Sequence, residues 1–352
     1  MKLIHTADIH LGSPFSETKG QASPSIRRAE LLEQFKKLVE YAKNNGVEGV
    51  LLSGDIFDND SPSDVQKQSF YRAIEKYPNI TFFYLRGNHD IHSQVNADKP
   101  QNLLTFGDDW MTYDFHGIKI TGVELTKRNY RSIYDNLKLD PSYFNIVMLH
   151  GTPGSQMGVQ DIMLSALKNK HINYLALGHV HIPSAGKLDD DGIYVMPGCL
   201  EGRGFDETGP RGFYFLDIEG NDLVKHQFIP FSRHQYFREN IDVTGCKDIS
   251  EIEGRIEKLG ISENNFYELA LTGSLSFSPE DLLTTIEQDF KGRTGSLTIK
   301  DNTTEEIDVE ELKRNKDFKG ELTRTIFNDT TLSDEDKKRV LDLCLKAMER
   351  RQ

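Results

Sequence analysis

The chain has 352 residues, 37% hydrophobic and 28% charged, with a net charge of −13. This is the composition of a folded chain of two or three domains, and it excludes a disordered or low-complexity polypeptide. No run approaches the ~18 consecutive apolar residues of a membrane span, and the acidic balance counts against nucleic-acid binding by overall charge alone.

An apolar run at residues 2–6 reads as a first strand, entered so early that no cleavable signal is expected. Ser23-Pro24 is an N-cap followed by proline in the first turn, and Ile26, Leu32, Phe35, Val39 and Ala42 continue at helical spacing to a stop at Gly46. Residues 47–53 predict a second strand, Ser61-Pro62 a second helix running to about Tyr77, and residues 80–85 a third strand. Residues 110–116 and 119–124 form a hairpin across Gly117. Strands at 144–149 and 174–177 flank a helix over 159–170, and a second hairpin joins 213–218 to 223–229. Residues 1–230 therefore predict one α/β domain of two packed mixed sheets with helices outside. Residues 231–302 alternate strand, helix, strand, helix, strand (239–243, 249–258, 266–272, 279–289, 296–299), a small α+β domain. Residues 303–352 are charged and helical. Ser333 precedes Asp334-Glu335-Asp336, then Val340, Leu341, Leu343, Cys344, Ala347 and Met348 make one apolar stripe that packs on its own domain or on a partner. Cys199, Cys246 and Cys344 are odd in number and scattered, which predicts reduced thiols in a cytoplasmic protein.

Five of the strand-like runs end in metal-ligand residues: Asp8-Ile9-His10, Gly54-Asp55-Ile56-Phe57-Asp58, Gly87-Asn88-His89-Asp90, Leu149-His150-Gly151 and Gly178-His179-Val180-His181. Carboxylate, imidazole and amide oxygens suit divalent ions such as Mn²⁺, Fe²⁺ or Zn²⁺. Strand alternation predicts that Asp8 and His10 reach one ion and that His179 and His181 share a site. Glycine before three of the groups predicts positive φ and close backbone approach. Seven donors with one bridging carboxylate suffice for two ions about 3.5–4 Å apart, a clamp for in-line displacement at phosphorus.

The order Asp-x-His, Gly-Asp, Gly-Asn-His-Asp, His, Gly-His-x-His resembles the calcineurin-like metallophosphoesterases over roughly residues 1–230. The opening Lys2-Leu3-Ile4-His5-Thr6-Ala7-Asp8-Ile9-His10-Leu11-Gly12, the Gly54–Asp58 segment and Tyr194-Val195-Met196-Pro197-Gly198-Cys199 with Pro210-Arg211-Gly212-Phe213 resemble the SbcD-type DNA repair nucleases. That group has Ser at the place of Cys199, and Asp58 stands where some relatives carry a second catalytic His. The resemblance implies a four-layer α/β/β/α sandwich, a capping domain over 231–302 and C-terminal helices that bind an SMC-like coiled-coil ATPase of SbcC type. It implies one ion, with Mn²⁺ foremost, at Asp8, His10 and His181, another at Asn88, His150 and His179, and Asp55 between them. It also places His89 near the leaving group.

Asp90 is the expected partner of the His89 ring, and Asp58 orients His89 or a ligand or caps a helix. Arg203 is the candidate for a substrate phosphate, and Arg27–Arg28, Lys127–Arg128 with Arg131, and Arg203 with Arg211 are the basic clusters that could meet DNA. His5 reads as core, His92 as a residue of the cleft, and His116, His171, His226 and His234 as surface. Three functions fit these readings. The chain is a DNA nuclease, a phosphodiesterase for small nucleotides, or a scaffold with a structural metal site. The C-terminal stripe serves an ATPase or a second copy of this chain.

Overall fold

The computed structural model describes residues 1–15, 23–58, 62–90, 98–277, 281–306 and 308–349. Two compact units emerge. The first is Met1–Arg238 with two short returns, Ser262–Tyr267 and Thr294–Ser296.

Its first sheet runs Asp222–Pro230, Gly212–Glu219, Lys2–Thr6, Gly49–Ser53, Thr81–Leu85, Leu103–Thr105. The last four strands are parallel. Its second sheet runs Ser184–Lys187, Ile193–Met196, Tyr174–Gly178, Phe144–His150, Ile118–Gly122, Met111–Phe115, with the inner four parallel. Parallel strands covered on both faces read as unbroken apolar runs, and side-chain alternation then sorts each strand between two cores. Leu3, Leu51, Phe83 and Leu85 pack against Ile120, Phe144, Ile146, Met148 and Ala176 between the sheets. Their neighbours Ile4, Val50, Leu52, Phe82 and Tyr84 face Leu31, Phe35, Leu38, Phe70 and Ile74 on helices Pro24–Asn44 and Asp64–Glu75. Val147, Leu149, Leu175 and Leu177 face the other way, onto Ile133, Tyr134 and Leu167 of two short helices. The layers follow the order α, β, β, α. Each fully buried Leu, Val, Ile or Phe contributes about 1.5–3 kcal/mol, so this double-sided burial holds the strand ends in fixed relation.

One polar group crosses the central core. His5 lies between the Tyr174 hydroxyl (2.9 Å) and the Leu177 carbonyl (3.0 Å), linking the two sheets. Burial pushes its imidazole down to about 3, so the ring is neutral.

Three local expectations change. The second helix is capped by Ser63, whose hydroxyl accepts from Gln66 N (3.2 Å) while the Gln66 side chain accepts from Ser63 N (2.8 Å). This is a capping box, and Ser61 lies outside the described residues. Ser23 holds the N-cap position but makes no capping bond, its hydroxyl meeting that of Ser25 instead. The helix over 159–170 shrinks to Leu164–Leu167. Ahead of it, Asp161–Met163 pairs with Thr152–Gly154, and beyond it Asn169 and His171 take left-handed backbone that no helix continues through.

The second unit comprises Glu239–Ile261, Glu268–Arg293 and Leu297–Gln352. It carries most of a three-stranded sheet ordered Tyr236–Asp242, Phe266–Leu275, Ser296–Glu305, with helices Ile249–Glu257 and Leu282–Asp289. Helices Val309–Arg314, Phe318–Asn328 and Asp334–Glu349 then pack one on the next. Leu341 in the last helix is fully buried and Leu343 is 60% exposed. Among the described residues no helix is long and apolar enough to cross a membrane. The three cysteines are free.

Candidate metal centre

The seven expected ligands gather at the carboxyl ends of parallel strands, where open α/β sheets bind ligands. Asp8, His10, Asp55 and Asn88 lie just past the ends of three strands of the first sheet, whereas His150, His179 and His181 end or follow two strands of the second. All but His150 lie beyond the strands themselves, so alternation does not aim them. Asp8, His10, Asp55 and His179 have φ of 51°, 50°, 51° and 95°. Left-handed backbone at non-glycine residues costs on the order of 1–3 kcal/mol each and gathers at functional sites. Bonds from Asp8 N to Gly54 O and from His10 N to Asp55 O, each 3.0 Å, hold it here.

Of the three preceding glycines only Gly54 needs positive φ, at 93°. Gly87 and Gly178 are required for space. A Cβ on Gly87 would lie 2.2 Å from Asp55 Oδ1, and one on Gly178 would lie 2.0 Å from the Ser53 carbonyl and 2.8 Å from His150 Nδ1. Gly178→Ala is therefore expected to cost about 1–3 kcal/mol by overpacking and to dislodge His150. Thermal melting together with cation titration checks this, and unchanged values in both would refute it.

The expected ligands fall into two donor groups. Asp8, His10 and His181 form one, and Asp55, His150 and His179 the other. His179 and His181 thus part company, against the alternation reading. His10 Nδ1 meets Asp58 Oδ1 at 2.6 Å and His181 Nδ1 meets Glu207 Oε1 at 2.6 Å, which assigns both Nδ1 protons to carboxylates. The bare Nε2 atoms then face one another at 3.2 Å. In the other group, His150 Nδ1 donates to the Ser53 carbonyl (2.8 Å). Its Nε2 faces Asn88 Oδ1 at 3.1 Å and Asp55 Oδ2 at 3.2 Å, while His179 Nδ1 lies 2.9 Å from the same Asn88 oxygen. Asp55 Oδ2 also lies 3.9 Å from His10 Nε2, so one oxygen looks toward both groups.

Burial and mutual charge shift the ionisation of these donors. Burial pushes the Asp8 carboxyl up to about 7. Burial would lower His150, but Asp55 lifts it to about 9. Burial opposes ionisation of Asp55 too, yet His150 and His10 hold it well below the usual carboxylate range. Lone pairs of carboxylate, imidazole and amide oxygen converge here. The chemistry of the donors fits divalent cations in both groups.

Residues 1–183, just over half the chain, match the calcineurin-like phosphoesterases. The chain belongs to that family. This is a family of divalent-metal enzymes. The DNA double-strand break repair protein Mre11 of Methanopyrus kandleri is 23% identical over 295 residues, covering 73% of this chain and 63% of that protein. The uncharacterized metallophosphoesterase YhaO of Bacillus subtilis is 23% identical over 275 residues, covering 73% and 67%. The Mre11 of Sulfolobus acidocaldarius is 24% identical over 315 residues, covering 82% and 79%. The chain thus spans about two thirds of the length of the first two relatives.

The phosphoesterase places the other candidate residues unevenly. His89 stands at the rim, its side chain 46% exposed, with Nδ1 3.6 Å from Asp58 Oδ1 and its ring 5.0 Å from that of His10. Asp90 does not hold it. That carboxylate is fully buried and accepts from the backbone of Ile56 (2.9 Å) and Gly87 (2.6 Å) and from the Tyr84 hydroxyl (2.5 Å). It fastens the loops carrying Asp55 and Asn88, and among the described residues Asp58 is the carboxylate beside the His89 ring.

Arg203 is not free for a substrate phosphate, because its guanidinium meets Glu207 (3.0 Å), Asp58 (3.4 Å) and Ser13 (3.3 Å). Arg211 is 2% exposed and donates to the carbonyls of Pro210 and Thr208. Arg27 is likewise buried, held by Glu30, Gly202 O and the Tyr236 hydroxyl. Lys127, Arg128 and Arg131 remain exposed. His5 is core as expected, but His234 is not surface. It is buried between Glu30 and the Asn264 carbonyl. His92 lies outside the described residues.

Glu207 escaped the sequence reading. It is one of 55 acidic residues, and no spacing rule ties a loop acid to a histidine on another strand end.

Proposed function

We propose that this phosphoesterase hydrolyses DNA phosphodiester bonds with two divalent cations, Mn²⁺ foremost. The observation that carries the reading is the single Asp55 oxygen facing both donor groups. Asp8, His10 and His181 would hold one cation and Asn88, His150 and His179 the other, with Asp55 shared. Bound there, the cations supply electrophilic stabilisation of the phosphoryl oxygens and of an attacking water.

The chain's own groups do the rest. His89 has an exposed ring able to reach a leaving oxygen and give it a proton, worth about 10²–10⁴-fold. Asp58 stabilises the protonated ring, and Asp90 fixes the loops beneath. Relatives named for DNA double-strand break repair support DNA as substrate. So does a cavity of about 470 Å³ that runs from Asn88 and His150 to Lys127 and Arg128, bringing exposed cations beside the donor groups. Residues 231–302 as a cap that selects the DNA, and residues 303–352 as the association segment for a coiled-coil ATPase or a second copy, complete the proposal.

The test compares Mn²⁺-dependent breakdown of linear DNA with that of bis-p-nitrophenyl phosphate and of cyclic nucleotides. Linear DNA should be degraded at rates the small substrates do not match. Turnover of cyclic nucleotides with intact DNA would install the small-substrate reading instead, and no hydrolysis with full cation occupancy would leave a structural centre.

A further inference from the structure

The two donor groups are supported in different ways. His150 is held by a backbone carbonyl, that of Ser53. His10 and His181 are each held by a carboxylate, Asp58 and Glu207, at 2.6 Å in both cases. A single guanidinium joins those carboxylates, with Arg203 Nη2 3.0 Å from Glu207 Oε1 and Nη1 3.4 Å from Asp58 Oδ1. Arg203 Nη2 also lies 3.1 Å from His181 Nδ1. The second Glu207 oxygen accepts from Arg203 N (2.8 Å) and from the buried Cys199 thiol (3.6 Å). Glu207 is therefore bound on both oxygens and cannot swing away from His181.

We infer that Glu207 and Asp58, clamped by Arg203, are positioning residues for one cation only, the one held by Asp8, His10 and His181. The inference rests on the two-cation reading and adds to it an asymmetry between the sites. A carboxylate on the far nitrogen of a ligating imidazole fixes its tautomer, turns its ring and raises its basicity. Here that support acts on both imidazoles of one group, and the shared arginine makes the two supports a unit. In the other group the His150 ring draws its orientation from main chain, which no side-chain change removes, and among the described residues neither imidazole there meets a bracing carboxylate of this kind. The brace also uses up Arg203, which is why this arginine does not reach toward a substrate.

The test is Mn²⁺ binding by the full chain, read by calorimetry, by metal content after dialysis and by electron paramagnetic resonance. The wild type should bind two Mn²⁺ per chain and give the exchange-coupled signal of a pair. Glu207→Ala should weaken one of the two by roughly 10–100-fold, leave the other unchanged, and replace the coupled signal with the six-line spectrum of an isolated ion. Glu207→Gln, which keeps an acceptor for the His181 proton, should restore part of the loss. Asp58→Asn should weaken the same site.

Equal weakening of both ions, or two ions at wild-type affinity in Glu207→Ala, would overturn the inference. Should Glu207→Ala fail to fold by circular dichroism, Arg203→Lys carries the test. It retains a charge but cannot span both carboxylates, so it must show the same one-sided loss or the inference fails. A wild type that binds no Mn²⁺ at all, or only one ion, defeats the two-cation reading itself, an outcome distinct from a symmetric loss in the variants.

Discussion

His89→Ala will keep both cations and lose roughly 10²–10⁴ in turnover on an ester with a poor leaving group. The separation of the two effects follows from how this residue is attached. Its backbone N–H, not its ring, donates to Asp55 Oδ1 at 2.9 Å. Alanine keeps that bond, so the shared carboxylate stays in place. The ring itself is half in solvent and, among the described residues, meets the site through Asp58 and the edge of His10. Deleting it removes a proton donor and almost no packing. On an ester of p-nitrophenol, whose anion departs without help, the loss should be far smaller. Cation content by metal analysis and rates on the two esters decide the matter. Wild-type turnover with the poor leaving group would strip His89 of its role, and lost cations would make it structural.

Leu341→Asp will destabilise the C-terminal helices by on the order of 3–5 kcal/mol, the combined cost of lost apolar burial and a buried carboxyl without a partner. Leu341 has no exposed surface, and its helix lies against Phe318–Asn328. Leu343→Asp is the control. That side chain is 60% exposed, so its replacement should leave melting unchanged within about 0.5 kcal/mol. The contrast also tests the association proposal. If the helix meets an ATPase or a second copy, Leu343→Asp should abolish the complex while the isolated chain melts as before. Denaturation of both variants, with sizing of the complex, gives the answer. Wild-type melting of Leu341→Asp would contradict the burial.

Much of this was legible because each ligand follows an apolar run, and a buried parallel strand has almost no other way to look. Gly54-Asp55 and Gly178-His179 announced sharp exits from strands, and the exits are there. The sequence did not reveal how the side chains aim. Periodicity describes regular backbone, and four of the seven residues stand on left-handed backbone where it does not apply. That is why His179 and His181 divide between the groups. The arginines failed for another reason. Charge in a sequence carries no sign of burial, and Arg27, Arg203 and Arg211 spend theirs inside the fold. The helix over 159–170 misled because a short apolar stretch serves an edge strand as readily as a helix.

The seven donors come from two sheets that meet across the central core. A folding intermediate with one sheet formed therefore carries half a centre and grips a cation weakly. Completion of the centre works as a coincidence detector for the docking of both layers, with His5 between Tyr174 and Leu177 marking the correct register. On the two-cation reading, each cation in hundredfold excess over its dissociation constant would add about 2.7 kcal/mol to the docked state alone by mass action. On the proposed function, a nuclease whose centre is completed by the same event that finishes the fold gains a safeguard against cutting while half-built.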